Sequence, residues 1–228
     1  MKEEQSSYKG YDGTDMFLRV IRPDAEMKAL VIGLHGLGSH SGLLAKLGER
    51  FAERGYLFYA PDLRGFGKFE GRLGHVDSFE EYDGDIHSLV QDVKEKHPSK
   101  KLFFYGHSLG AVHALLFTLR YPGVIDGAIV PYPAVSERLK VSSVTRALGR
   151  LLSALNVKTY IDNGLDLTLL ARNQELVERN QNDPLRFDKA TPRFAMEGLN
   201  ASKTLFESGH KVTVPLIMQQ GGEDQILD

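Results

Sequence analysis

Leu102-Phe103-Phe104-Tyr105-Gly106-His107-Ser108-Leu109-Gly110-Ala111 is the stretch on which the fold turns. A short apolar run ends at Tyr105, a glycine-flanked serine follows, and a helical pattern runs from near Ala111 to about Tyr121. That is strand, sharp turn and helix, with Ser108 at the apex. So tight a turn strains the serine backbone, and side chains at positions 106 and 110 would collide with the strand or the helix. It lifts the hydroxyl clear of the sheet, where a base and a substrate can reach it. A glycine-serine loop also arises by chance in a chain with 23 glycines, so the flanking sequence has to decide.

Upstream, Tyr8 and Phe17-Leu18 flank the turn signal Asp12-Gly13, which predicts an opening hairpin over residues 8–22. Ala29-Leu30-Val31-Ile32-Gly33-Leu34 is a continuous apolar run, as in a buried parallel strand. A helix from about Gly42 to Arg54 carries Leu43, Leu44, Leu47 and Phe51 on one face, and Tyr56 to Ala60 is the next buried strand. Ser78-Phe79-Glu80-Glu81 is a capping box that opens a helix to about Lys96, stopped by Pro98. Another strand follows over Gly127 to Val130. The alternation predicts an α/β fold: a mostly parallel sheet with helices on both faces.

After Pro133 the pattern changes, and no strand is predicted between Ser136 and about Pro192. Val141, Val144, Leu148, Leu151, Leu152 and Leu155 recur at helical spacing opposite Ser142, Ser143, Arg146 and Arg150. A second helical stretch covers about Leu165 to Arg179, and the α/β pattern resumes with a helix near Phe194 to Ser208 and a buried strand over Val214 to Gln219. The chain therefore divides into a core over 1–135, a helical insertion over 136–190, and a return to the core over 191–228.

The 228 residues are 42% hydrophobic and 25% charged, which is ordinary for a soluble domain. A net charge of -2 with no dense Lys/Arg stripe argues against nucleic acid as a partner. With no cysteine there is no thiol nucleophile and no Cys-based metal site, in keeping with a cytoplasmic protein. The polar start at Met1 to Ser7 is not a signal peptide, and no apolar run is long enough to span a membrane. No metal-binding motif is present and no cofactor is expected.

A serine nucleophile needs a base, an acid to orient the base, and donors for an oxyanion. One donor is the Leu109 amide, at the N-terminus of the helix that follows the serine. The other is the Leu37 amide in His35-Gly36-Leu37-Gly38, a stretch that alone also reads as a tight strand-to-helix turn. For the acid, Gly221-Gly222-Glu223-Asp224 follows the last strand; Asp224 is preferred and Glu223 is the fallback, although an exposed acidic turn has the same composition. The base is missing. His35 and His107 shape the two loops, His87, His97 and His113 lie on predicted helices, and His75 and His210 sit at turns. None follows Asp224.

Together with Asp62-Leu63-Arg64-Gly65-Phe66-Gly67, Gly74-His75-Val76-Asp77-Ser78-Phe79 and the His35 to Ser41 loop, these motifs resemble the α/β-hydrolases of the monoacylglycerol lipase and lysophospholipase type. The resemblance keeps the order and spacing of the motifs over nearly the whole chain, through Gly221 to Asp228. It implies Ser108 as nucleophile, Asp224 as triad acid, the Leu37 and Leu109 amides as oxyanion hole, and residues from about 136 to 190 as a cap inserted after the strand that follows the serine turn. It also implies a further strand, a catalytic histidine and a closing helix beyond residue 228, which these 228 residues lack. Because losing a triad histidine costs on the order of a million-fold in subtilisin, residues 1–228 alone are expected to turn over next to nothing.

The expected function is hydrolysis of carboxyl esters of single-chain lipids through an acyl-enzyme, monoacylglycerols first. Carboxylesterase, lysophospholipase or thioesterase activity, and a non-catalytic lipid-binding homologue, are the alternatives. The apolar face over 141–155 either meets a lipid surface, making the protein peripheral at a membrane, or packs on the core.

Overall fold

The computed structural model describes residues 1–135 and 143–227. Its main sheet contains β1 (Lys2–Lys9), β2 (Asp15–Arg22), β3 (Ala29–Leu34), β4 (Tyr56–Pro61), β5 (Leu102–Gly106), β6 (Gly127–Pro131) and β9 (Leu216–Gln219). The strand order is β1-β2-β4-β3-β5-β6-β9. β1 and β2 pair antiparallel, as do β2 and β4, and every later pairing is parallel. This is the mostly parallel sheet that the alternating pattern predicts.

β3 is buried along its whole length because it is covered on both faces. Its side chains alternate: Leu30, Ile32 and Leu34 join one core with α2 (Glu80–Lys96), α3 (Leu109–Arg120) and α6 (Pro192–Ser208). Val31 points the other way, into a smaller core with Phe58 and α1 (Ala45–Ala52). The capping box forms: the Ser78 and Asp77 amides donate to Glu81 Oε1 at 3.0 and 2.8 Å, and the Glu80 amide donates to Ser78 Oγ at 3.2 Å. α6 starts with Thr191 as its cap and Pro192 in the first turn.

Arg64 ties the core together from within. It is buried and donates to both oxygens of Asp85 at 2.8 and 2.9 Å and both of Asp12 at 3.1 and 3.0 Å. Burial works against its charge, but these bonds hold the guanidinium well above its ordinary pKa and Asp12 well below the carboxylate range.

Several boundaries differ from the sequence reading. The hairpin begins at Lys2, not Tyr8, because β1 is an exposed polar edge strand that carries no hydrophobic signal. The insertion contains α4 (Ser143–Ala154), β7 (Ile161–Asp162), α5 (Gln174–Gln181) and β8 (Lys189–Ala190), with β7 and β8 paired in a two-residue ribbon. Residues 165–179 are not one helix: a 3-10 turn at Leu167–Leu169 precedes α5, since Asp166 and Asn173 each cap a separate turn. Of the apolar stripe over 141–155, positions 141 and 142 and the side chains of 143 and 144 lie outside the described residues. Three of the remaining positions face solvent: Leu148, Leu151 and Leu155 are 55%, 57% and 67% exposed, while Leu152 is half-buried and Gly149 on the opposite side faces Met196 of α6. β9 was expected to be buried, yet all four of its residues are exposed. It is the last strand of the sheet, and among the described residues nothing covers its faces.

Candidate active site

The turn between β5 and α3 has the strain its sequence requires. Ser108 sits at φ 55°, ψ -115°, a conformation that side chains rarely adopt. A Cβ on Gly106 would strike the Gly110 carbonyl, and one on Gly110 would strike the Leu34 carbonyl, so the chain can double back here only with glycine at both positions. Hydrogen bonds hold the turn from both sides. The His107 amide donates to Leu34 O at 3.1 Å, the Ser108 amide to Pro131 O at 3.3 Å, and the Ala134 amide to Ser108 O at 3.3 Å. The apex is thus latched to the ends of β3 and β6.

Ser108 opens on a cavity of about 1330 Å³ that is also lined by Leu37, His107, Tyr132, Asp224 and Arg186. Three of the sequence-selected residues, Ser108, Leu37 and Asp224, therefore share one space. The fourth, Leu109, buries its side chain directly behind Ser108. Among the described residues neither the Leu37 amide nor the Leu109 amide donates to a protein acceptor. Two unpaired backbone donors beside a serine are what an oxyanion site requires. Asp224 is fixed by its own loop: Oδ1 accepts from the Ile226 and Leu227 amides, both at 2.9 Å, and Oδ2 accepts from Gln220 at 3.1 Å. Glu223, the fallback acid, is tied up in an ion pair with Arg172 of the insertion.

The histidines near the serine serve the loops. His35 is fully buried; its Nε2 accepts from the Leu63 amide at 2.9 Å and its Nδ1 lies 2.9 Å from Gly36 O. Burial pushes its pKa down to about 4. Burial lowers the His107 pKa, with the charge of Arg186 adding to the effect and that of Asp224 opposing it, and its ring meets Tyr132 edge-on at 5.9 Å. His40 Nε2 bonds Asp183 at 2.9 Å and His97 bonds Tyr59 at 3.2 Å, His97 capping α2 rather than lying within it. His75 bonds Thr191 at 2.8 Å and His87 stacks on Tyr121. His210 lies in an exposed 3-10 turn.

The insertion is stitched to the loop that carries Leu37. The Phe187 amide donates to Gly38 O at 3.1 Å, and the His40–Asp183 bond crosses the same junction. Two cavity residues escaped sequence reasoning. Tyr132 has φ 49°, and its only signal is the flanking Pro131 and Pro133. Arg186 lies in no motif and reaches the cavity only through the fold of the insertion.

Comparisons with known proteins agree with this architecture. A monoacylglycerol lipase of Mycolicibacterium smegmatis is 27% identical over 98% of this chain, which spans 80% of that protein. The human monoglyceride lipase is 28% identical over 95% of this chain, which spans 72% of it. The crystal structure of a monoacylglycerol lipase from Paleococcus ferrophilus superposes with a TM-score of 0.79 at 28% identity, covering 97% of this chain and 78% of that one. Residues 25–228 match the family described as serine aminopeptidase, S33. The chain belongs to that family and is an α/β-hydrolase similar to the monoacylglycerol lipases.

Proposed function

We propose that the protein hydrolyses carboxyl esters of single-chain lipids, monoacylglycerols first among them, through an acyl-enzyme on Ser108. The observation that carries this reading is a strained serine at φ 55° that opens on the same cavity as Leu37, next to two unpaired amides. In the proposed chemistry a base removes the Ser108 proton as Oγ attacks the ester carbonyl carbon. The Leu37 and Leu109 amides hold the oxyanion, and collapse releases the alcohol with the proton returned by the base. Water then attacks the acyl-enzyme by the same route and frees the fatty acid. Asp224 is the acid that orients the base, and the base is a histidine outside residues 1–228. Residues 136–190 are the cap, and the exposed Leu148, Leu151 and Leu155 of α4 are its contact with a lipid surface, which makes a cytoplasmic protein peripheral at the membrane.

Peptide amino-terminal cleavage is the reading suggested by the family's description. The cavity does not favour it: Lys46, Arg172, Arg179 and Arg186 line it against Glu223 and Asp224, an environment that repels a cationic amine. Two measurements on a full-length protein that carries the histidine test the proposal: fluorophosphonate labelling with Ser108→Ala as control, and a chain-length series of p-nitrophenyl and monoacylglycerol esters. Labelling lost in Ser108→Ala, with rates rising toward long acyl chains, is expected. Equal labelling of the wild type and Ser108→Ala, or no preference for acyl esters over aminoacyl amides, would overturn it.

A further inference from the structure

The loop over residues 35–42, which carries the Leu37 amide, is held at its two ends by the core and in its middle by the insertion. At the ends, His35 Nε2 accepts from the Leu63 amide at 2.9 Å, and the Ser41 amide donates to Asp62 Oδ1 at 2.7 Å. Between them, the Phe187 amide donates to Gly38 O at 3.1 Å and His40 Nε2 bonds Asp183 Oδ2 at 2.9 Å. Among the described residues, no core group outside the loop hydrogen-bonds residues 36–40. The loop also packs on the serine: a Cβ on Gly36 would lie 3.3 Å from Ser108 Cβ. Gly38, at φ 64°, leaves no room for a Cβ beside Phe187 O. Whatever moves the insertion segment 183–187 therefore moves the stretch that bears the Leu37 amide.

The side-chain tie is fixed at both of its ends. The His40 ring is buried, and its Nδ1 accepts from the Gly42 amide at 3.1 Å, so the ring hydrogen sits on Nε2 and is donated to Asp183. Asp183 is aimed as well, since Oδ1 accepts from the Leu185 amide at 2.9 Å. Burial raises the Asp183 pKa, but these two bonds, with the charge of Arg186, outweigh it and keep the carboxyl below its ordinary value. Neither partner can turn without losing a second bond, and a link locked in this way transmits position. We propose that Asp183 is a positioning residue for ester hydrolysis: through His40 it fixes the loop so that the Leu37 amide is in place for the oxyanion. The insertion thereby sets part of the geometry around Ser108. This rests on the ester-hydrolase reading above and adds how the insertion serves it.

The test uses the full-length protein that carries the histidine, with p-nitrophenyl octanoate as substrate, and the variants Asp183→Ala, Asp183→Asn and His40→Ala. Asp183→Ala is expected to lower kcat by about tenfold to a hundredfold, the cost of a misplaced donor, with KM within about twofold of wild type. Asp183→Asn keeps an acceptor for His40 and recovers part of the loss. Asp183→Ala and His40→Ala combined cost no more than the larger single loss, because both cut one link. Calorimetry reads the same geometry without turnover. The boron of octaneboronic acid takes up the Ser108 oxygen as a tetrahedral anion while the serine proton passes to the base. Its affinity should fall in Asp183→Ala by the same factor as kcat, and that of the neutral ether 1-octylglycerol should not change. An Asp183 that merely holds the insertion in place would lower the melting temperature and raise KM while leaving kcat and the boronate affinity intact, and that result overturns the proposal. Should the alanine variants not fold, Asp183→Asn decides: a lower kcat at unchanged KM supports the proposal, and an unchanged kcat overturns it. A wild type that neither hydrolyses the ester nor binds the boronate overturns the ester reading and this proposal together. An active wild type with kcat unaltered by the variants overturns this proposal alone.

Discussion

His113 offers a quantitative test of how this core is built. It lies on α3, fully buried, between the rings of Tyr82 at 4.2 Å and Phe79 at 4.9 Å, and neither ring nitrogen has a hydrogen-bond partner. Burial, with a smaller contribution from the nearby His35, pushes its pKa from 6.5 down to about 3. The unfolded chain takes up a proton near pH 6.5 that the folded chain refuses until about pH 3, so stability falls as pH falls through that window. At about pH 4.5 the gap amounts to two pH units, or about 3 kcal/mol from this one side chain. His113→Leu removes the titrating group and two unpaired nitrogens while keeping an apolar body of similar size. Urea unfolding of both proteins at about pH 7 and about pH 4.5 measures the effect. The variant should be no less stable than the wild type near neutrality. Its loss of stability on acidification should be smaller by about 3 kcal/mol. His35, with its pKa near 4, titrates in both proteins, and its coupling to His113 is part of the difference measured. Equal acid losses in the two proteins would refute the argument.

Three further outcomes follow from the same geometry. Gly110→Ala drives a methyl into the Leu34 carbonyl, so it should cost about 1–3 kcal/mol in urea unfolding and slow fluorophosphonate labelling of Ser108. Arg64→Ala leaves Asp85, which is 2% exposed, without its counter-ion, and should destabilise by about 3–5 kcal/mol in the same assay. The triple change of Leu148, Leu151 and Leu155 to Ser should weaken co-sedimentation with lipid vesicles, with each position within about 0.5 kcal/mol of neutral in thermal unfolding because the side chains are already in solvent.

The parts of the fold that the sequence announces are those whose signal is local. β3 was placed at Ala29–Leu34 because a strand buried on both faces must be apolar at every position. The serine turn was readable because its two glycines answer a steric demand made within five residues. β1 was not, because an edge strand held by backbone pairing to β2 needs no apolar pattern. β9 misled in the opposite direction: Leu216-Ile217-Met218 has the composition of a core strand, but burial depends on what packs against it, and among the described residues nothing does. The insertion broke into shorter pieces than its periodicity implied because Asp166 and Asn173 start new turns within the apolar pattern. In the site, Ser108, Leu37 and Asp224 were legible as loop residues after strands. Arg186 was not, since it lies in no motif and reaches the cavity only through the fold of the insertion.

That network also bears on the chemistry at Ser108. The Leu37 and Leu109 amides and the Arg186 guanidinium all place positive charge in or beside the cavity on which the serine opens. Such donors stabilise developing negative charge best when they are fixed in advance and not cancelled by neighbouring anions. Each neighbouring carboxylate has bonds of its own, although Asp183 also acts on Arg186 through its charge. His40 and the Leu185 amide absorb Asp183, Arg172 absorbs Glu223, and the Ile226 and Leu227 amides hold Asp224 in its own loop. The field is fixed as well, because the serine turn is latched to β3 and β6 and the Arg186 segment is bonded to Gly38. Fixed, unpaired donors beside Ser108 favour the negative charge that develops in the transition state, while Asp224 keeps room for one further donor, the base it would orient.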